Sequence, residues 1–306
     1  MRNQTDTLRI KPLLLFLALT FGATWAVEIP LVSNGMRFDN LTGMSGPALI
    51  LMAVMWIPGL SALLVTAFVD KMNFAELRDS LRLRLGKSLG AYFLTICLVP
   101  MLFAAMYLLS WWLGFGDFAP QIPGTEAGEA TLKSVLQIML PMSIVLGPFI
   151  NLIFGLGEEI GWRGFMLPRL MPLGKPVAYT VLGILWGIWH GPLILTGFNY
   201  PGYPVGGIAM MCLLCFAFGL FLNEMTLHYD SSILAGFIHG AVNAQGYGVW
   251  LLLFPNIHPL FGGSVGLTGV AVWLISGMLC TMALKRLGPP LTASQEKDIH
   301  THSPKK

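Results

Sequence analysis

The sequence predicts an all-α fold, a polytopic transmembrane helical bundle of about eight spans, and three observations carry that prediction. Of 306 residues, 55% are hydrophobic and only 11% are charged, where a soluble domain carries about 25% charged residues. Apolar runs of the ~20 residues a helix needs to cross a hydrocarbon core recur along the chain. The basic residues, finally, gather on alternate sides of those runs.

The runs cover approximately residues 12–33, 47–69, 91–114, 134–156, 177–198, 207–224, 231–253 and 266–284. The first is too long for a signal-peptide core and no small-residue cleavage pattern comes after it, so it is expected to remain as an anchor. The seventh is interrupted by Gly236, His239, Asn243, Gln245 and Gly246. With a cytoplasmic amino terminus, Arg2, Arg9, Lys11, Lys71, Arg78, Arg82, Arg84, Lys87, Arg163, Arg169, Lys175, Lys285, Arg286, Lys297, Lys305 and Lys306 all fall inside. Only Arg37 and Lys133 fall outside, a split of 16 to 2 among the 18 basic residues. The positive-inside rule then predicts an even number of spans with both termini cytoplasmic.

Between the second and third runs, Phe74, Leu77, Leu81 and Leu85 stand at helical spacing among Arg78, Arg82, Arg84 and Lys87. This stretch reads either as an amphipathic helix on the inner leaflet or as a solvated connector. Residues 1–306 form a single membrane-embedded domain on this reading, and the polar tail 287–306 is expected to be disordered, its His300 and His302 an incidental pair. There is no internal repeat and no soluble domain.

The net charge of +3 is small and scattered, which argues against a nucleic-acid partner. Cys97, Cys212, Cys215 and Cys280 all lie in apolar runs, where a thiol behaves as a small hydrophobe. Cys212 and Cys215 make a C-x-x-C without a second pair, so two packed helix thiols are expected rather than a metal or redox site.

Ionisable groups inside a span cost at least ~2.5 kcal/mol each on insertion scales, so each requires a reason. The exceptions are Glu28 in the first run, Glu158, Glu159 and Arg163 at the end of the fourth, His190 in the fifth and His239 in the seventh. Glu159 and Arg163 are one helical turn apart and suit an ion pair. Glu158 then faces elsewhere. Two adjacent carboxylates near one desolvated site cannot both ionise cheaply, which makes one of them a candidate proton acceptor; a simple charge cluster at a helix end is the competing account.

His190 precedes Gly191 and Pro192, where a proline opens the backbone ladder. Gly183, Gly187 and Gly191 recur every four residues and make a flat helix face for a close neighbour. His239 and Asn243 are four apart and project from one face. An imidazole beside a carboxamide supplies two donors toward one point, as a developing oxyanion needs, or else two interhelical hydrogen-bonding groups. At ~1.5 Å per residue, His239 lies roughly 12 Å from the inner end of its helix, a depth Glu158 and His190 can also reach.

Glu158-Glu159-x-x-x-Arg163, Trp186-x-x-x-His190 and His239-x-x-x-Asn243, in that order, resemble the CPBP family of type II CAAX prenyl proteases and bacterial abortive-infection or bacteriocin-immunity proteins. The family pattern is EExxxR, FxxxH and HxxxN or HxxxB, and the resemblance covers about residues 134–253. Trp186 stands where the family usually has Phe, and its ring is expected to pack rather than react. The resemblance implies an intramembrane endopeptidase in a bacterial plasma membrane, acting on a membrane-associated or prenylated peptide or protein. Glu158 and His190 would activate water, His239 and Asn243 would hold the oxyanion, and Glu159 and Arg163 would orient the base.

Two His and a Glu also suit zinc. A metal-free glutamate mechanism is favoured because the H-E-x-x-H zinc helix is absent. Rival motifs lack their context: Gly262-Gly263-Ser264-Val265-Gly266 has no strand-turn-helix around it, Ser61 has no partnered His, and Asp230 has no second intramembrane Asp. A non-catalytic immunity protein or a transporter is the alternative from another class, although the repeated halves of a transporter are missing. Oligomeric state is not legible.

Overall fold

The computed structural model describes residues 8–37, 45–122, 129–246 and 248–287. Residues 288–306 of the polar tail, with both of its histidines, lie outside them. Every regular element among the described residues is helical. The chain opens with α1 (Ile10–Ser33), then α2 (Gly46–Val54) and α3 (Ile57–Leu64), which continue through a wide turn to Val69. The short α4 (Phe74–Ser80) precedes α5 (Gly90–Trp112). Next come α6 (Glu129–Ser134), α7 (Leu140–Val145) and α8 (Gly147–Glu159), and beyond α8 a π-helical stretch, Ile160–Met166, leads to α9 (Leu167–Leu170). The remainder is α10 (Lys175–Trp189), α11 (Gly191–Leu195), α12 (Pro204–Tyr229), α13 (Ser232–Gly246), α14 (Val249–Leu253) and α15 (Leu267–Leu287).

Among the described residues, five helical segments are long and apolar enough to cross a membrane: α1, Gly46–Val69, α5, α12 and α15. A sixth results if Leu132–Val145 and Gly147–Leu173, bent by 45° at their junction, count together. Large apolar side chains such as Phe68, Phe93, Met101 and Trp112 face outward on these segments. The chain is an integral membrane protein, but the expected eight full-length spans are not met. The runs at 177–198 and 231–253 are each broken. α10 and α13 have 15 residues each, about 22 Å of helix against a ~30 Å core. α10 stops at Trp189 and Pro192 stands in the first turn of α11, and Gly248, with φ of +154°, separates α13 from α14.

Glycines set two of the close helix pairs. On α13, a Cβ at Gly240 would land 2.7 Å from the backbone nitrogen of Leu152 on α8, and one at Gly155 of α8 would land 2.7 Å from the carbonyl oxygen of Gly236. On α10, Gly183 and Gly187 lie against Phe216 and Cys212 of α12, where added Cβ atoms would fall 2.6 and 2.4 Å from Cα. Gly191 departs from the expected stripe: it has open space around it, because the helix has already ended.

The connector after Val69 also departs from an amphipathic helix through Leu85. α4 stops at Ser80, its amino end closed by a capping box between Asn73 and Glu76. Leu81 is fully buried while Leu85 is exposed. The chain beyond Ser80 is stapled to the α12–α13 turn: Arg82 Nε donates to Asp230 Oδ1 at 3.0 Å, and Ser232 Oγ donates to the Leu81 carbonyl at 2.7 Å. All four cysteines are free thiols, including the Cys212 and Cys215 pair.

Candidate active site

The end of α8 and the π-helical stretch after it carry Glu158, Glu159 and Arg163, all with at most 2% exposure. α8 begins with Pro148 in its first turn and reaches Glu158 only after its glycine-lined face has docked on α13. Arg163 Nη1 donates to Glu159 Oε1 at 3.0 Å and lies 3.0 Å from Oε2. Its Nε donates to Asn223 Oδ1 of α12 at 3.2 Å, and its guanidinium carbon sits 4.2 Å from the centroid of the Trp186 ring. Gly219 leaves the room this side chain occupies, since a Cβ there would stand 3.2 Å from Nη2.

Glu159 holds a second partner. His239 Nδ1 lies 2.8 Å from Glu159 Oε1, so one carboxylate joins the guanidinium to the imidazole. Such a contact orients the ring and leaves Nε2 for other work. Rings of Trp186 and Phe218 pack edge-on against it at 5.5 and 6.0 Å between centroids.

Glu158, as expected, points away from this pair. Its Oε2 accepts a hydrogen bond from Trp186 Nε1 at 2.7 Å. Trp186 therefore does more than pack: where the family pattern has Phe, this chain places a donor on the carboxylate itself. His190, at the end of α10, has Nδ1 2.9 Å from the Trp186 carbonyl and its ring stacked on Phe198 at 8° between planes. The helix break fixes this arrangement, because His190 caps α10 and begins α11. Glu158, His190, His239 and Asn243 together line a cavity of about 410 Å³. His190, His239 and Asn243 also border a second cavity of about 70 Å³, lined in addition by Phe218 and Ser264.

Toward a metal, His239 Nδ1 faces a carboxylate and His190 Nδ1 a main-chain carbonyl, which leaves Nε2 of each ring as the nitrogen an ion would use. Among the described residues no three His, Cys, Asp or Glu side chains come together to hold an ion.

Three contributors lie outside the site residues that the sequence singles out: Asn223, Trp186 as a donor, and the α1 docking pair. Trp189 Nε1 donates to Thr24 Oγ1 at 2.9 Å, and Trp25 Nε1 donates to the Trp189 carbonyl at 3.2 Å. Of the three, Asn223 is open to the burial-cost test, since it stands with Glu224 near the end of an apolar run. For Trp186 and Thr24 no spacing rule gives a signal.

Comparison with known proteins bears out the resemblance drawn from the motifs. Residues 140–245 match the family described as type II CAAX prenyl endopeptidase Rce1-like. Over 187 residues the chain is 28% identical to CAAX prenyl protease 2 of Methanococcus maripaludis, a match spanning 60% of this chain and 64% of that protein, less than two thirds of its length.

Proposed function

We propose that this Rce1-like chain is an intramembrane endopeptidase that hydrolyses a peptide bond of a membrane-associated or prenylated protein by glutamate-activated water. The observation that carries the reading is the single cavity bordered by Glu158, His190, His239 and Asn243, with each of the first three already held in place by a partner. Preorganised groups of this kind need no rearrangement when charge develops.

A water between Glu158 and His190 gives a proton to the Glu158 carboxylate as its oxygen bonds to the substrate carbonyl carbon. The carbonyl oxygen becomes an oxyanion, received by His239 Nε2 and the Asn243 carboxamide. Donation by Nε2 requires the doubly protonated ring, and the Glu159 carboxylate is its counter-charge. Collapse of the intermediate breaks the carbon–nitrogen bond, and the proton stored on Glu158 passes to the leaving amine. Water is thereby divided between the two products. No metal enters this scheme.

The charge split along the chain supports both termini on the cytoplasmic side of a bacterial plasma membrane. The test is cleavage of an internally quenched, farnesylated peptide by the purified chain in detergent. Glu158→Gln should lower kcat by about 10²- to 10⁴-fold while the protein inserts and accumulates normally, and a chelator should leave the wild type active. Undiminished turnover in Glu158→Gln would favour a binding or transport role, and loss of activity to a chelator would restore the metal mechanism.

A further inference from the structure

Among the described residues, the mechanism leaves two buried glutamates unused, and of these Glu224 is held by Lys175 and Tyr179 while Glu28 is not so held. Glu28 is on α1, 2% exposed, with Oε2 buried and without a hydrogen-bond partner among the described residues. It ends a buried stripe of α1, Phe16, Thr20, Thr24 and Glu28, spaced four residues apart. Thr24 is the residue that receives the Trp189 indole, so Glu28, one turn further on, is carried to the same side as the catalytic groups. It lines the 410 Å³ cavity with Glu158, His190, His239 and Asn243, and it is close enough to Glu158 for their charges to act on each other. The wall on α2 and the residue after it is apolar, formed by Leu51, Met52 and Met55.

A buried carboxyl oxygen without a partner is costly, because it has given up its hydrogen bonds to water and gained none in return. Removing it would be simple, since an apolar residue would suit the neighbouring Leu and Met side chains. A peptide entering this cavity has the complementary difficulty: its amide N–H groups leave water and each needs an acceptor. Glu158 is committed to Trp186 and to the attacking water, and Glu159 to Arg163 and His239.

We propose that Glu28 is a substrate-binding residue of this site, whose free oxygen accepts a hydrogen bond from a main-chain N–H of the bound peptide close to the scissile bond. It acts as an acceptor, so a neutral carboxamide oxygen can take its place. This assignment rests on the peptide-hydrolysis reading above, and a binding measurement separates the two.

The measurement uses the full-length chain with Glu158→Gln, which holds the farnesylated peptide without cutting it, and reads Kd by the fluorescence of the labelled peptide. Adding Glu28→Met should weaken binding about tenfold, equivalent to about 1.4 kcal/mol. Adding Glu28→Gln should keep Kd within about twofold. Peptides methylated in turn at each amide nitrogen near the scissile bond should include one that binds alike with and without Glu28→Met, as a double-mutant cycle requires of a direct contact. Equal Kd for the Glu, Gln and Met forms would overturn the proposal, as would a Gln form as weak as the Met form, which would mean that charge and not an acceptor is read. Absence of binding in every form would overturn it too. If wild type fails to cleave the peptide while the Glu28 differences persist, the hydrolysis reading fails and the Glu28 assignment stands.

Discussion

Arg163 and Arg169 are six residues apart and both answer carboxylates, yet they stand in different surroundings. Arg163 and Glu159 are completely buried and share their charges with His239, Asn223 and the face of Trp186. Arg169 is at the rim, where it donates to Asp70 at 2.6 Å and to the Phe165 carbonyl, and Asp70 is shared with the largely exposed Arg9. Arg9, 59% exposed, has water and headgroups as alternatives, although the Asp70 side chain between the two arginines is itself buried. For the central set, removing two ions from water costs several kcal/mol each, a cost that mutual attraction offsets only when geometry and extra hydrogen bonds are good. Apolar residues would hold those helices together at least as well. The central set therefore makes sense through what it positions, the His239 ring, and the rim set through what it fastens.

Arg163→Met tests this contrast with the largest expected effect. It leaves Glu159 buried with a single partner and should cost about 3–5 kcal/mol of stability, read as thermal unfolding of the detergent-solubilised protein. The double variant Glu159→Leu with Arg163→Met removes both charges and should regain most of that stability while remaining inactive. A double variant as unstable as the single would mean that the ion pair itself holds the helices, and the contrast with the rim would fail.

Trp186→Phe sharpens it at smaller scale. The ring volume is largely kept, and the change returns the residue to the family's usual type, but Glu158 loses its indole donor at 2.7 Å. One hydrogen bond of about 1–1.5 kcal/mol corresponds to roughly a tenfold fall in kcat with KM little changed. Unaltered kcat would return Trp186 to a packing role alone.

These two residues also show how far the sequence can be read. The fold class follows from hydropathy alone, because lipid forces apolar runs of a set length into helices. The grouping of Glu158, Glu159, Arg163, His190, His239 and Asn243 is legible because charged and imidazole groups are conspicuous where they are expensive. Trp186 is conspicuous to no rule: an indole is at home in an apolar run, and only the packing of α10 on α12 turns its N–H toward Glu158. The span count goes astray for a related reason. Hydropathy sums over Pro192 and Gly248 without registering that a helix stops just before each, and those breaks are what set α10 and α13 at 15 residues with the site beside them. Glu28 is visible as an anomaly, but its position beside the Glu158 cavity depends on the docking of Trp189 on Thr24.

The smallest effect is expected at the rim. Arg84 is 42% exposed and pairs with Asp230 at 3.1 Å, while Asp230 keeps Arg82 as a second partner at 3.0 Å. An exposed pair with a substitute at hand is worth at most about 1 kcal/mol, so Arg84→Ala should shift thermal unfolding only slightly and leave peptide cleavage unchanged. Salt supplies the decisive control. Raising ionic strength from about 0.1 M to about 1 M shortens the screening length from about 10 Å to about 3 Å, which should erase the difference between Arg84→Ala and wild type but leave the Arg163→Met deficit in place. A deficit at Arg84 that survives high salt would place that pair with the central charges and dissolve the distinction between centre and rim.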